Sequence, residues 1–383
     1  MLIIMTLIGI LLISIVLLDA FETIVLPRRV ARRLRLARLV IRVTWKLWSS
    51  PARGHWRSGE RREIYLSFYG PFALLLLIGV WATGLIGGFA LLMWSLGAQM
   101  VSIGGGAGFG TTLYGTGTTF LTLGLGDVLP HTVLGRILVV LEAGIGFAFL
   151  ALIISYMPVL YQAFSQREVN VSLLDARAGS PPSAGELLRR HVGEDFASAL
   201  AQVLLEWERW SAELLESHLS YPLLAYYRSQ HEQQSWLAGL TTILDVASLV
   251  MVGIEGAPTR SARLAFAMAR HAAADLSHIL GTRPQAADPG RLSTADLVQL
   301  RALLAEAGIS LREGPEADKM LAHLRQMYEP FVSALAERLL MPLPPWLPPS
   351  GATDIWKVTA WGMESWSVTR HRVDAHNLSK TEE

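Results

Sequence analysis

An all-α membrane protein is the fold class this sequence predicts, on three observations. Charged residues make up 17% of the 383 and hydrophobic ones 51%, whereas ordinary soluble domains carry roughly 25% charge. The 63 consecutive residues Ile64 to Gly126 carry no charge at all. Strand-type alternation is scarce, and apolar residues recur at helical spacing through the C-terminal half. The net charge of +1 names no partner, and the lack of cysteine excludes a disulfide scaffold, a thiolate metal site and a cysteine nucleophile.

The elements follow in order along the chain. MLIIMTLIGILLISIVLL is 18 apolar residues, about the minimum that crosses a 30 Å hydrocarbon layer. No Lys or Arg precedes it, and Asp19-Ala20-Phe21-Glu22 follows where a signal peptide would carry a small-residue cleavage site. A retained N-terminal transmembrane helix over 1–27 is the expectation. Residues 28–63 form a basic linker, with twelve Lys or Arg from Arg28 to Arg62 against the single acid Glu60 before Glu63. Such a stretch beside apolar spans stays on the cytoplasmic side. Part of it, with Leu34, Leu39, Ile41, Val43, Trp45 and Trp48 interleaved, reads as a basic amphipathic helix lying on anionic lipid. The spans account for this charge, so no nucleic-acid partner is inferred.

A second span, 65–96, runs outward, and 97–130 contain no Lys or Arg, as an external segment should. A third, starting at Thr132, returns inward, with Arg167 and Glu168 at its end. The N-terminus is thus expected outside and the C-terminus inside, in a multi-pass protein.

Between these spans lies GFGTTLYGTGTTFLTLGLGDVLP, too short and polar to cross a bilayer and too apolar for an ordinary exposed loop. Non-helical backbone at membrane depth is tolerated only where it is buried in protein or lines a watery cavity. A short helix followed by an extended return over Thr122-Leu123-Gly124-Leu125-Gly126 meets that rule. A dehydrated cation needs oxygens in place of its water. Carbonyls can converge on one axis where glycine permits unusual backbone angles at alternate positions, here Gly124 and Gly126. Thr122 adds its hydroxyl, and Asp127 places negative charge at the outer mouth.

Thr119-x-x-Thr122-x-Gly124-x-Gly126-Asp127 resembles the potassium-channel pore signature TxxTxGYGD. His131-Thr132-Val133-Leu134-Gly135-Arg136 is similar to the start of the inner helix of small bacterial potassium channels, and Gly146 falls where those channels carry a hinge glycine. The resemblance covers about residues 64–168. It implies a tetrameric pore domain with an outer helix 65–96, pore helix and filter 109–130 and inner helix 132–164. It further implies K+ held at Thr122, Leu123, Gly124 and Leu125, no cofactor beyond the permeant ion, and residence in a bacterial inner membrane. One loop per chain supplies a quarter of a carbonyl ring, so a homotetramer is expected. Leu125 stands in place of the usual Tyr or Phe, and Thr118 where some members hold a carboxylate against the aspartate.

Glu142 lies about 15 Å down the inner helix. Two roles stay open for it, lining the cavity or bracing the pore helix through hydroxyls such as those of Thr118 and Thr119. Gly144, Gly146 and Pro158 can each bend the helix, and Tyr156 to Leu160 is a candidate gate, with a simple helix end near Pro158 as the alternative.

Residues 169–383 read as an all-α cytoplasmic domain. AGSPPSAG, 178–185, is a break, and apolar-periodic stretches follow over about 186–219, 222–229, 232–253, 259–281, 293–308 and 315–340. Ser293-Thr294-Ala295-Asp296 is a helix-start pattern. Residues 236–254 could pass for a fourth span, but a central Asp245 favours a buried bundle helix. PLPPWLPPS reads as a stiff spacer before a last amphipathic segment with Trp356, Trp361 and Trp366. No dinucleotide motif, ligand-spaced histidines or nucleophile elbow is present, so the regulatory ligand is unread and no enzyme is expected. The function predicted is a potassium-selective channel with a helical regulatory or assembly domain. A weakly selective cation channel and a membrane-anchored sensor with a vestigial pore are the alternatives.

Overall fold

A computed structural model describes residues 1–26, 35–54, 59–193, 195–229, 233–286 and 288–349. Arg28, Arg29, Arg32, Arg33, Arg57 and the expected amphipathic segment with Trp356, Trp361 and Trp366 lie outside the described residues. The chain divides into two compact units, Met1–Ser165 with Ser217–Arg228, and Gln166–Glu216 with the residues from Ser229 onward.

The first unit is built on apolar helices. Helix α1 (Leu2–Ala20) continues into a single wider turn, Phe21–Val25. Helices α2 (Leu36–Gly54) and α3 (Glu60–Ser67) follow, and α3 leads almost directly into α4 (Tyr69–Ser95). Gly84 and Gly88 let α1 approach α4 closely, since a Cβ at Gly88 would sit 2.7 Å from Ile13 Cγ1 and one at Gly84 2.9 Å from Val16 Cγ2. Small residues four apart serve this purpose where apolar burial alone cannot drive helices together in lipid. Val16, Leu77, Trp81 and Leu85 close the interface and continue into Phe120 and Phe149.

Asp19 is buried at the end of α1, and its Oδ2 accepts from both the Ala37 backbone N–H and the Trp81 indole N–H, each at 2.9 Å. One carboxylate oxygen thereby joins α1, the first turn of α2 and α4.

Beyond α4, strands β1 (Met100–Ser102) and β2 (Val128–Pro130) pair antiparallel, Met100 facing Pro130 and Ser102 facing Val128. Helix α5 (Phe109–Phe120) lies between them in sequence, and α6 (Val133–Ala178) follows. At 46 residues, α6 runs unbroken through Pro158, about 69 Å at helical rise. The inner helix was expected to close at 164, with an end near Pro158 as one alternative. Proline does not stop it, so the helix-end reading is overturned.

The second unit is helical among its described residues: α7 (Ala184–Arg190), α8 (Phe196–Ser220, whose last turn belongs to the first unit), α9 (Trp236–Gly253), α10 (Thr259–Ile279), α11 (Thr294–Glu306) and α12 (Pro315–Leu339). The stretch expected as one helix over 186–219 is two, with Gly193 in the break, where glycine is a poor helix former. The predicted start of α11 forms as a capping box between Ser293 and Asp296.

Four described helical stretches are long and apolar enough to cross a membrane, the fourth being α9. Every residue of α9 except Met251 and Gly253 is buried within the chain. Its Asp245 pairs with the Arg291 guanidinium and takes the Tyr328 hydroxyl, while Arg291 Nη1 also reaches Glu329 Oε1 at 2.9 Å. A buried carboxylate is tolerable because its counter-charge is buried with it. The 341–349 strap is not a bare spacer. Trp346 is buried, stacks under Arg291 and Arg325 at 5.3 and 5.7 Å, and accepts the Gly185 N–H at its carbonyl.

Substituting Asp19→Ala orphans two buried donors. It is expected to destabilise the protein by about 2–6 kcal/mol at roughly 1–3 kcal/mol for each unsatisfied group, read as a fall in the thermal midpoint of detergent-solubilised protein. Trp81→Phe, which removes one donor along with its bond, should cost less.

Candidate functional site

The candidate site is the non-helical stretch Leu121–Asp127 and what holds it. Helix α5 ends at Phe120, and its last carbonyls accept the first amides of the loop: Leu121 N–H to Gly117 O at 3.0 Å, Thr122 N–H to Thr119 O at 3.0 Å and Leu123 N–H to Thr118 O at 2.8 Å. The loop is therefore seated directly on the negative end of the α5 dipole.

Thr122, Gly124 and Gly126 have φ of 57°, 55° and 76°, while Leu123 and Leu125 between them do not fall in the positive region. An extended chain points successive carbonyls to opposite sides, and reversing the sign of φ at every second residue turns them toward a common side. Glycine adopts these angles freely. Threonine does not, and a β-branched residue there is an outlier that points to function.

Residues 121–127 are all exposed in the single chain. Leu123 and Leu125 expose 57% and 61% of their surface, an unusual state for aliphatic side chains in a well-anchored loop.

The far end is anchored too. The Ile103 N–H donates to Asp127 O at 3.0 Å, which extends the β1–β2 pairing up to the aspartate. Tyr114 on α5 lies beside the Asp127 carboxylate, in a chain where Thr118 occupies the place of the expected carboxylate.

Two glycines allow the supports to close. A Cβ on Gly115 would collide with Met100 Sδ on β1, and one on Gly146 with the Phe120 carbonyl at the end of α5. Gly146 was read as a hinge. What the structure reveals at this position is a close approach between α6 and the base of the loop. Gly144 has nothing within 4 Å of a Cβ position.

The Thr118 and Thr119 hydroxyls both donate back to Gly115 O, at 2.9 and 2.8 Å. The hydrogen bond expected between them and Glu142 is absent. Glu142 is fully buried, and neither of its carboxylate oxygens has a hydrogen-bond partner in the described chain. Threonine hydroxyls in a helix find their own preceding carbonyls first, which explains the difference.

Midway along α6, Tyr156 is buried against Tyr221, with ring centroids 5.6 Å apart, and Phe164 lies 5.7 Å from Tyr227. The 217–228 segment also presses Tyr227 onto Gly70 and Tyr226 onto Trp45 and Tyr69. Arg228 Nη1 reaches Glu63 Oε2 at 3.2 Å. Burial lowers the Arg228 guanidinium to about 10 against the pull of Glu63, which leaves it charged at neutral pH. These residues join the lower end of α4 to α6 around the expected gate residues Tyr156 and Pro158. Reading the sequence missed them because 221–228 stands some 60 residues beyond Tyr156. The run of three tyrosines at 221, 226 and 227 was the available signal.

Two apolar helices here flank a short helix and a glycine-rich return. Residues 75–162, from within α4 to within α6, match the family model described as "Ion channel". This part of the chain is similar to the pore of two-transmembrane ion channels, and α1 is an additional apolar helix ahead of it. No curated protein and no solved structure matches the chain.

Gly146→Ala is expected to destabilise the first unit by about 1–3 kcal/mol through overpacking against Phe120. Gly144→Ala, with free space around it, should instead stabilise α6 by up to about 1 kcal/mol. Thermal midpoints of the two variants in the same detergent decide between a packing role and a shared hinge role.

Proposed function

We propose that this protein is a potassium-selective channel, assembled as a homotetramer, in which Thr122, Leu123, Gly124, Leu125 and Gly126 line the conduction path. The observation that carries the reading is the alternation of backbone sign at Thr122, Gly124 and Gly126. It suits a column of oxygens facing one axis, as removal of an ion's water demands. K+ is then the permeant ion, held by Thr122 to Leu125, and Asp127 concentrates cations at the mouth.

The exposure of Leu123 and Leu125 supports assembly, since three further copies would cover what one chain leaves bare. Closed cyclic symmetry then completes the ring. The charge distribution favours an N-terminus outside and a C-terminus in the cytoplasm, with three spans, α1, α4 and α6. Because α9 buries both its apolar faces within the second unit, it is not counted as a span. That unit serves as the regulatory or assembly domain, and Tyr156 and Pro158 lie where the path would close. Lipid and sister subunits are the partners, in a bacterial inner membrane.

A weakly selective cation channel is the second reading, and Leu125 is the observation that favours it. An aliphatic side chain at this position offers no hydroxyl or ring to a neighbouring group, so the filter is held from behind by packing alone.

Purified protein in planar bilayers, with K+ on one side and Na+ on the other, tests both. A reversal potential close to the K+ equilibrium value is expected, and a value near zero would establish the weakly selective pore. Gly124→Ala places a Cβ at φ 55°, which costs about 1–2 kcal/mol per chain. It should abolish current while thermal stability and assembly change little. Current that survives this substitution would remove 122–126 from the conduction path.

A further inference from the structure

Helix α2 has three faces, each made by residues at helical spacing. Ala37, Trp45, Ser49 and Ala52 are buried against the first unit. Arg38, Arg42, Lys46 and Arg53 are exposed. Leu39, Val43 and Leu47 form a third stripe, and they too point outward, exposing 57%, 48% and 70% of their surface. A basic stripe and an aliphatic stripe therefore lie side by side on the surface of one helix.

The depth of this helix follows from α4. A 30 Å hydrocarbon layer whose outer edge lies at Ser95 takes up about 20 residues of helix and ends near Leu75. Leu36, Ala37 and Val40 pack with Leu77 and Trp81, just inside that edge. Further along, Trp48 stacks on Tyr65 and Phe72 at 4.9 and 5.1 Å, and Trp45 meets Tyr69 at 4.7 Å, just outside it. Tryptophan and tyrosine gather at this level in membrane proteins. Asp19 and the Tyr69 hydroxyl, which donates to Ile41 O at 2.8 Å, fix the helix there.

We infer that the outward face of α2 is a binding surface for anionic phospholipid in the adjoining leaflet. Leu39, Val43 and Leu47 enter the acyl boundary, while Arg38, Arg42 and Lys46 meet headgroup phosphates, with Arg53 extending the basic row. Both stripes are satisfied only by a partner that is apolar on one side and negatively charged on the other. Nucleic acid leaves the aliphatic row in water. A two-fold contact of this face with itself sets basic rows against each other, and a neighbour in a cyclic ring would have to bring a different face that is both apolar and acidic. The inference rests on α4 crossing the membrane and is independent of whether the pore conducts or what it selects.

Native mass spectrometry of the full chain in detergent, supplied with equal phosphatidylglycerol and phosphatidylcholine, reads it directly. The wild-type protein should retain phosphatidylglycerol preferentially. Arg38→Gln/Arg42→Gln/Lys46→Gln should lower that preference, by about fivefold for each charge removed if each is worth about 1 kcal/mol near an anionic surface. Arg260→Gln/Arg263→Gln/Arg270→Gln on α10, with the same change in charge, should leave it unaltered. A preference identical in wild type and the α2 variant overturns the inference. Loss of assembly in that variant with lipid preference intact would assign the face to a second copy instead. A channel without selectivity, or without current, would leave the lipid result standing.

Discussion

Seven residues of non-helical backbone, 121–127, set the terms for everything around them in the first unit. Amides outside a helix need partners, and hydrocarbon supplies none. The chain meets this at the base of the loop by letting the end of α5 accept its first amides, and at the top through the β1–β2 pair and the Ile103 amide on the Asp127 carbonyl. The stretch between stays exposed in the single chain. The supports have to come close, and this explains Gly115 and Gly146, each placed where a methyl group would strike Met100 or the Phe120 carbonyl. Helices α4 and α6 are then walls spaced by what lies between them. The Gly84 and Gly88 contacts apply the same logic one layer out, where α1 leans on α4.

The second unit solves a different problem with similar residues. Helix α9 is as apolar as a membrane span, but its surface is consumed by α7, α10 and α12. Its one carboxylate is neutralised from within by Arg291, a residue outside any long helix, and Arg291 is in turn covered by Trp346. Hydropathy alone cannot separate a helix wrapped in protein from one wrapped in lipid. The charge at Asp245 separates them, because a protein core brings the matching guanidinium and a bilayer does not.

Much of this was legible in the sequence. Long uncharged runs located α1, α4 and α6, and the spacing of Thr122, Gly124, Gly126 and Asp127 singled out the loop, since these depend on local composition. The start of α11 was equally plain, because a capping box is a four-residue device. What escaped prediction was long-range. The continuation of α6 from 164 to Ala178 carries it past the end that the sequence suggested. The Asp19 junction and the packing of 221–228 on Tyr156 and Gly70 each join residues that only the folded chain brings together. The close approach of Gly146 to Phe120 was not visible beside its capacity to bend, because a glycine in a helix looks the same in sequence whether it flexes or makes room.

Thr122 invites one last deduction. Its left-handed backbone would be effortless for glycine, and the chain uses glycine for that purpose two and four residues later. Keeping a β-branched residue there forgoes roughly 1–2 kcal/mol of conformational ease. The side chain must therefore return at least that much, through its hydroxyl or its methyl, in some state of the working protein. Backbone geometry in this way becomes a balance on which one whole side chain can be weighed against glycine.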